Sequence, residues 1–542
     1  MRRSNPSVTG VVATASLLLA LVVLGQLGAP SAAPAPHPAT AVHLRVAGSG
    51  TSPGDWVTYL HDTDRSGSDA NRSGIPAAQA ANLTLQWNFT AHGIFAAAPI
   101  VVNDTVFIGS WDGDEYALNA SSGALQWSTY LGQSSTAGCG PNVRGITSTA
   151  TYRSGVLYVG GGDAEWFALN ASSGSILWNV STGDPLSHYN WGSPLIVGNF
   201  AYIGLASACD HPLIQGELMQ VNLTTHAVDH VFYTVNTRPP GGSIWGSPTY
   251  DPLTGDVFVA TGNGWAKYPY PYTQALLALN ASNVSRLVGH YQIPRNATGL
   301  DSDFGNTPTI ARDARGDPLV VVGNKDGVVY AFNRTNISAG PVWTDQVAVG
   351  GPCPECGQGT ISPAAFDGIL LYEGGGKTTI AGKAFRGAER AIDPATGAFL
   401  WQRGFPAPVI PATSATNGLL VVEAGKFLYV LNATTGRSVF SFATHGPLYG
   451  ASALADRCIF FASTDYHVYA LGIRGIGCGP IYPAGQFPHA GHGRSPGGGR
   501  GSDHPGKAIY ATAGRPSSPR PRLPPPPPVR AGGAIAGASR RI

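Results

Sequence analysis

Charge is scarce in this 542-residue chain: Asp, Glu, Lys and Arg together make up 12%, and there are only two methionines. Too few Lys and Glu remain to coat helical surfaces, and 72 glycines with 43 prolines would interrupt helices throughout, so a coiled coil or a helical enzyme is excluded. Several chemistries are missing as well. None of the 14 histidines forms a HExxH pair, and neither a Walker lysine loop nor a GxSxG elbow occurs. Cys353-Pro-Glu-Cys356 is followed by Gly357 where a c-type haem attachment site needs histidine, and no second CxxC completes a four-sulfur zinc site. Past residue 33 no run is long and apolar enough to span a bilayer.

What is present divides unevenly. The net charge of +2 conceals a basic tail, because residues 484–542 hold nine Lys/Arg against one Asp, scattered among Gly and Pro with no aromatic interleaving. Such a segment cannot bury enough apolar surface to offset its chain entropy, so 481–542 reads as a disordered tail and no nucleic-acid partner is expected. At the other end, Arg2 and Arg3 precede an apolar stretch over 11–29 and then Pro30-Ser-Ala-Ala33. Residues 1–33 therefore read as a signal peptide or an N-terminal anchor, with 34–54 as a linker. Either implies a secreted or extracellular-surface protein that touches a membrane only through that anchor. Fourteen Asn-X-Ser/Thr sequons fit a glycosylated exported protein, and Asn-Ala-Ser-Ser-Gly is equally good turn chemistry. Six cysteines allow three disulfides in an oxidising compartment.

The body carries a repeat. Tyr116-Ala-Leu-Asn-Ala-Ser-Ser-Gly-Ala-Leu-Gln-Trp127 recurs as Phe167-Ala-Leu-Asn-Ala-Ser-Ser-Gly-Ser-Ile-Leu-Trp178 and, more loosely, from Tyr330 to Trp343, with weaker copies ending at Phe232, Tyr291, Trp401 and Phe442. Each copy is strand, turn, strand, closed by an aromatic that can pack on a neighbour. Upstream of the copies lie eight small-residue segments, among them Gly192-Ser-Pro-Leu-Ile196 and Gly246-Ser-Pro-Thr249, suited to inner strands at a crowded axis. The spacing of about 40–60 residues per repeat predicts an all-β, eight-bladed propeller over 55–480. The last repeat, ending near Leu471, lacks a closing strand, and 82–87 is expected to complete it. Cys458 and Cys478 flank this closure and are expected to pair. Cys353 and Cys356 are expected to form a local staple rather than a redox or metal half-site.

The Ala-Leu-Asn-Ala-Ser-Ser-Gly-(x)3-Trp repeat and the opening Trp56-(x)2-Tyr59-(x)2-Asp62 resemble the quinoprotein alcohol dehydrogenases that bind pyrroloquinoline quinone (PQQ), and among them the polyvinyl-alcohol-dehydrogenase-like branch. The resemblance implies a set of site residues. Ser243, Trp245 and Arg144 would bind the cofactor, the Trp ring against the quinone and the guanidinium on a carboxylate. Asp210, Asn263 and Asp303 would hold Ca²⁺. Asp303, with Asp301 as alternate, would be the base that takes the hydroxyl proton while hydride passes to the quinone, and Lys325 would stabilise the developing oxyanion and touch the cofactor. The partners implied are an alcohol, sugar or polymer hydroxyl and a separate electron acceptor. Two departures stand out: only Cys139 is present where relatives have adjacent cysteines, leaving it to pair with Cys209, and Ala96 stands where some relatives have Glu. The competing reading is a non-catalytic, glycosylated surface or scaffold propeller that binds protein or carbohydrate. In that reading Trp245 packs a blade and Asn324-Lys-Asp-Gly327 is an ordinary hairpin turn.

Overall fold

The computed structural model describes residues 52, 54–70, 72–135, 143–208, 210–235, 240–265, 270–294 and 301–479. All of these fall in the compact unit Met1–Pro483. The proposed signal or anchor, most of the linker, the tail and the Cys139–Cys209 pairing lie outside the described residues.

Eight antiparallel meanders of four strands form the ring, and in blade 3 a two-residue strand, His188–Tyr189, pairs in addition with the second strand. Blades 1 to 7 span residues 100–130, 151–181, 195–233, 249–292, 309–346, 365–405 and 414–443. Blade 8 takes three strands from 453–473 and its fourth from Leu83–Thr90, which pairs antiparallel with His467–Ile473. Burial follows strand position. The first strand of blade 1, Ile100–Val102, is wholly buried, whereas its fourth, Leu125–Tyr130, alternates between half-buried and exposed, so the first strands line the axis. Cys458–Cys478 and Cys353–Cys356 are both formed.

One expectation shifts. The small-residue segments precede the first strands more often than they form them: Gly192-Ser-Pro194 leads into Leu195–Val197. Their hydroxyls explain the placement. Ala98 N donates to Thr149 Oγ1 (3.0 Å), Thr149 N to Ser193 Oγ (3.0 Å), Ser193 N to Ser247 Oγ (2.9 Å) and Ser247 N to Thr307 Oγ1 (2.9 Å), so the lead-ins of blades 1 to 5 are stitched in series. Small size lets the backbones approach; the hydroxyl satisfies the N–H that this approach buries.

The closing aromatics lock the rim. Indole N–H groups of Trp87, Trp127, Trp343 and Trp401 donate to the carbonyls of Ala120, Ala171, Pro394 and Ala433, each in the turn after the third strand of the following blade. The turn glycine lies under the ring: a Cβ on Gly123 would fall 2.6 Å from Trp87, and one on Gly174 equally close to Trp127. Glycine is needed there for contact and for φ of +71° and +72°.

Residues 56–70 and Ser73 run round the inside of the ring, meeting the blades in chain order. The backbone carbonyls of Trp56, Val57, Thr63, Asp64, Ser66, Gly67 and Ser73 accept N–H groups of Val101, Tyr152, Tyr250, Ile310, Phe366, Ala415 and Arg457. Blade 3 is reached by Arg65, fully buried, which donates to the carbonyls of Pro194, Pro248 and Tyr59 and to Thr58 Oγ1.

Candidate functional site

In a meander that runs outward from the axis, lead-ins and second-to-third hairpins share one end of the ring, and the other two kinds of turn share the opposite end. Arg144, Ser243, Trp245, Asp301 and Asp303 lie on lead-ins, and Asp210, Asn263 and Lys325 on second-to-third hairpins. All therefore sit on one face, although they come from connections spread over blades 1 to 5.

Lys325 anchors the cluster. Its Nζ donates to Asp301 Oδ1 and Asp303 Oδ2, both at 2.9 Å, and lies 5.5 Å from the centre of the Trp245 ring. Asp303 is 4% exposed, and its Oδ1 is buried without a hydrogen-bond partner. Burial pushes the Asp303 carboxyl up to about 6, Lys325 opposing this while Asp301 and Asp210 add to it. Burial alone would pull the Lys325 ammonium down, but Asp303 and Asp301 outweigh it and hold the group above its usual range. Backbone bonds fix the pair: Lys325 N donates to Asp303 O (2.9 Å), and Asn324 Nδ2 to Ser302 O (3.1 Å).

The other candidates surround it. Gly262 packs beside Asp303, where a Cβ would fall 3.5 Å from the carboxylate carbon, and Gly262 N donates to Ser243 O (2.8 Å), which places Asn263 next to both. Ser207 joins two more: its N–H donates to Ser243 Oγ (3.1 Å) and its hydroxyl to Asp210 Oδ1 (2.7 Å). Arg144, 1% exposed, rises on a short hairpin of Ser134–Ser135 and Val143–Arg144. Its guanidinium stands between two indoles, 6.0 Å from the centre of Trp111 and 5.9 Å from that of Trp191. Burial pulls it below its usual value, with Tyr189 opposing. Trp191 closes the circuit by donating to Ser207 O (3.0 Å). Ala96 is in the blade 1 lead-in, and no carboxylate stands there.

Trp191, Trp111 and Ser207 escaped sequence reasoning. A signal for Trp191 was present, since Trp191-Gly-Ser-Pro194 repeats the Trp245-Gly-Ser-Pro248 that was singled out. Trp111 and Ser207 carry no motif of their own.

The ring of eight meanders is an eight-bladed β-propeller, with this cluster on one of its faces. The chain is similar to the quinoprotein dehydrogenases built on eight-bladed propellers. The family model described as outer membrane protein assembly factor BamB matches residues 71–204 and 385–474. A polyvinylalcohol dehydrogenase of Pseudomonas sp. is 26% identical over 384 residues, 62% of this chain and 57% of that protein. One from Sphingopyxis sp. is 25% identical over 395 residues, 64% of this chain and 58% of that protein. The chain thus spans under two thirds of the length of these relatives. The solved quinohemoprotein alcohol dehydrogenase ADHIIG of Pseudomonas putida superposes with a TM-score of 0.64 at 16% identity, covering 80% of this chain and 82% of that one, a likeness of fold.

Proposed function

We propose that the protein is an exported dehydrogenase that uses PQQ and Ca²⁺ to oxidise the hydroxyl of an alcohol, a sugar or a polymer, and that hands the electrons to a separate acceptor. The observation that carries this reading is the Asp303–Lys325 pair, a buried carboxylate with one orphaned oxygen beside an ammonium, on one face of the ring. The residues fit the cofactor and its metal. The orphaned Asp303 Oδ1 lacks the donor or cation that such burial demands, and a guanidinium between two indoles suits a planar polycarboxylate. PQQ, when bound, would supply the hydride acceptor. Asp210, Asn263 and Asp303 would offer hard oxygen donors to Ca²⁺. Among the described residues no three His, Cys, Asp or Glu side chains are grouped to hold a metal by themselves, so the shell depends on the Asn263 amide oxygen and on further oxygens.

With its carboxyl at about 6, Asp303 is largely ionised at neutral pH and still basic enough to take a hydroxyl proton. Lys325 keeps its proton and can donate to the oxygen that becomes negative. Reconstitution tests the reading: with PQQ and CaCl₂ the protein should reduce a dye in the presence of an alcohol, an aldose or polyvinyl alcohol, and its melting temperature should rise. No reduction with any of them and no thermal shift would leave a binding propeller.

A further inference from the structure

The connection between blades 5 and 6, residues 347–363, is not used by this mechanism, yet it is wrapped around the turn that presents Lys325. Val347 N and Ala348 N donate to Gly327 O (2.8 and 3.0 Å), Gly351 N to Lys325 O (2.8 Å) and Thr360 N to Asn324 O (3.1 Å). Gly359, at φ +68°, presses on the same residue: a Cβ there would fall 2.6 Å from Lys325 O and 2.7 Å from its Cα. The tip of the connection is closed by Cys353–Cys356. Inside it, Gln358 N donates to Cys353 O, Cys353 N to Gln358 Oε1 (both 3.1 Å) and Gly359 N to Val349 O (2.7 Å). Outside, Val349 N donates to Lys377 O and Lys377 N to Gly357 O, which clips it to blade 6. Glu355 comes near enough to Tyr449, in the lead-in of blade 8, to help burial push that phenol up. The connection is therefore a strap on the site face, rooted behind Lys325.

We infer that this disulfide-closed strap is a positioning element for Lys325: it holds the Asn324–Gly327 turn where Nζ bridges Asp301 and Asp303, and opening the disulfide releases the turn. The catalytic consequence rests on the dehydrogenase reading; the positioning does not. Cys356 is exposed and Cys353 half-buried, whereas in the other described disulfide Cys458 is fully buried and Cys478 half-buried, so the strap's disulfide is the more open to attack. An external dithiol would attack one sulfur, break the S–S bond and leave two protein thiols, itself ending as a cyclic disulfide.

Two measurements on the full chain decide it. Hydrogen–deuterium exchange compares wild type, Cys353→Ser/Cys356→Ser, Gly359→Ala and, as a control, Gly382→Ala, a turn glycine at φ +78° with nothing within 4 Å of its Cβ position. The Lys325, Gly351 and Thr360 amides should exchange about tenfold faster in the first two variants and remain unchanged in the third. In wild type treated with dithiothreitol the same amides should speed up, and the double serine variant should not respond further. In dye reduction with PQQ and Ca²⁺, kcat should fall about ten- to a hundredfold in the double serine variant, with KM for the alcohol little changed, as expected when a charged group is misplaced by about an ångström. Unchanged exchange at Lys325 in both the double serine and the Gly359→Ala variants would overturn the strap, as would a rise in KM at constant kcat. If wild type reduces no dye, the dehydrogenase reading fails and the exchange data still decide the strap.

Discussion

The two ends of the same strands make two different faces. On one, turns after the third strands are nearly interchangeable: Asn170, Asn280 and Asn333 use Oδ1 to accept the N–H and hydroxyl of the residue two positions on. In blade 6 Asp393 accepts the Ala395 N–H at Oδ1 and the Thr396 hydroxyl at Oδ2. On the other face the lead-ins share their small residues, and Trp-Gly-Ser-Pro occurs at 191–194 and 245–248, but Arg144, Asp210, Asn263 and Lys325 each occur once. Repetition serves the closing of a ring, where every junction poses the same packing problem, and chemistry occupies the end that closure leaves free.

Substitutions should separate the faces. The largest effect is expected from Asp303→Asn, which keeps shape and removes the base: dehydrogenase turnover should fall about 10²–10⁴-fold with the melting temperature nearly unchanged. Retention of turnover would remove Asp303 from the chemistry. On the opposite face Trp127→Ala should leave cofactor binding alone and destabilise the fold by about 3–5 kcal/mol, read by denaturant unfolding, because it empties the lock on Gly174 and strands the Ala171 carbonyl.

A third test concerns acids buried toward the site face. Glu389 and Glu423 are wholly buried, each with one oxygen unpartnered and the other bonded to Thr413 or Ser452. Burial raises each carboxyl to about 8, the hydroxyl partner opposing. The folded state therefore binds more protons than the unfolded chain between about pH 4.5 and 8. Their contribution to stability is complete below that window and is lost as pH rises through about 8, so the melting temperature should fall from pH 5 to pH 9. Glu423→Gln should flatten the slope, and a profile that rises over this range would contradict the burial. The smallest effect should come from Ser247→Ala, which leaves one buried N–H without its acceptor, at about 1–2 kcal/mol.

How much of this was legible depends on the same division. The blades were readable because the turn face repeats: Asn, small residues, Gly and a closing Trp recur in a fixed order, and small segments mark each lead-in. The fourth strand of blade 8 was legible because a deficit at 453–473 matched a surplus before blade 1. Of the candidate site residues, Arg144, Asp210, Asn263 and Lys325 each occur once, and only resemblance to a family could raise Asp303 or Lys325 above the background of ordinary turns. The hydroxyl stitching and the indoles beside Arg144 were hidden for another reason. Their partners are a blade away in space and some 30–60 residues away in sequence, and no local pattern records such a distance.

The borrowed fourth strand of blade 8 also sets the order in which the molecule can become complete. Leu83–Thr90 is made early and must wait, with its pairing edge open, until His467–Ile473 has been synthesised. The inner segment of residues 56–70 and Ser73 waits with it, because its partners run from Val101 to Arg457. Blades can form singly as the chain emerges, but the circle cannot be fastened before nearly all of the propeller exists. A chain arrested in its seventh blade would keep an exposed strand edge that invites a second chain to pair with it, and a circular permutant opened between blades 4 and 5 would shift that waiting period to different strands.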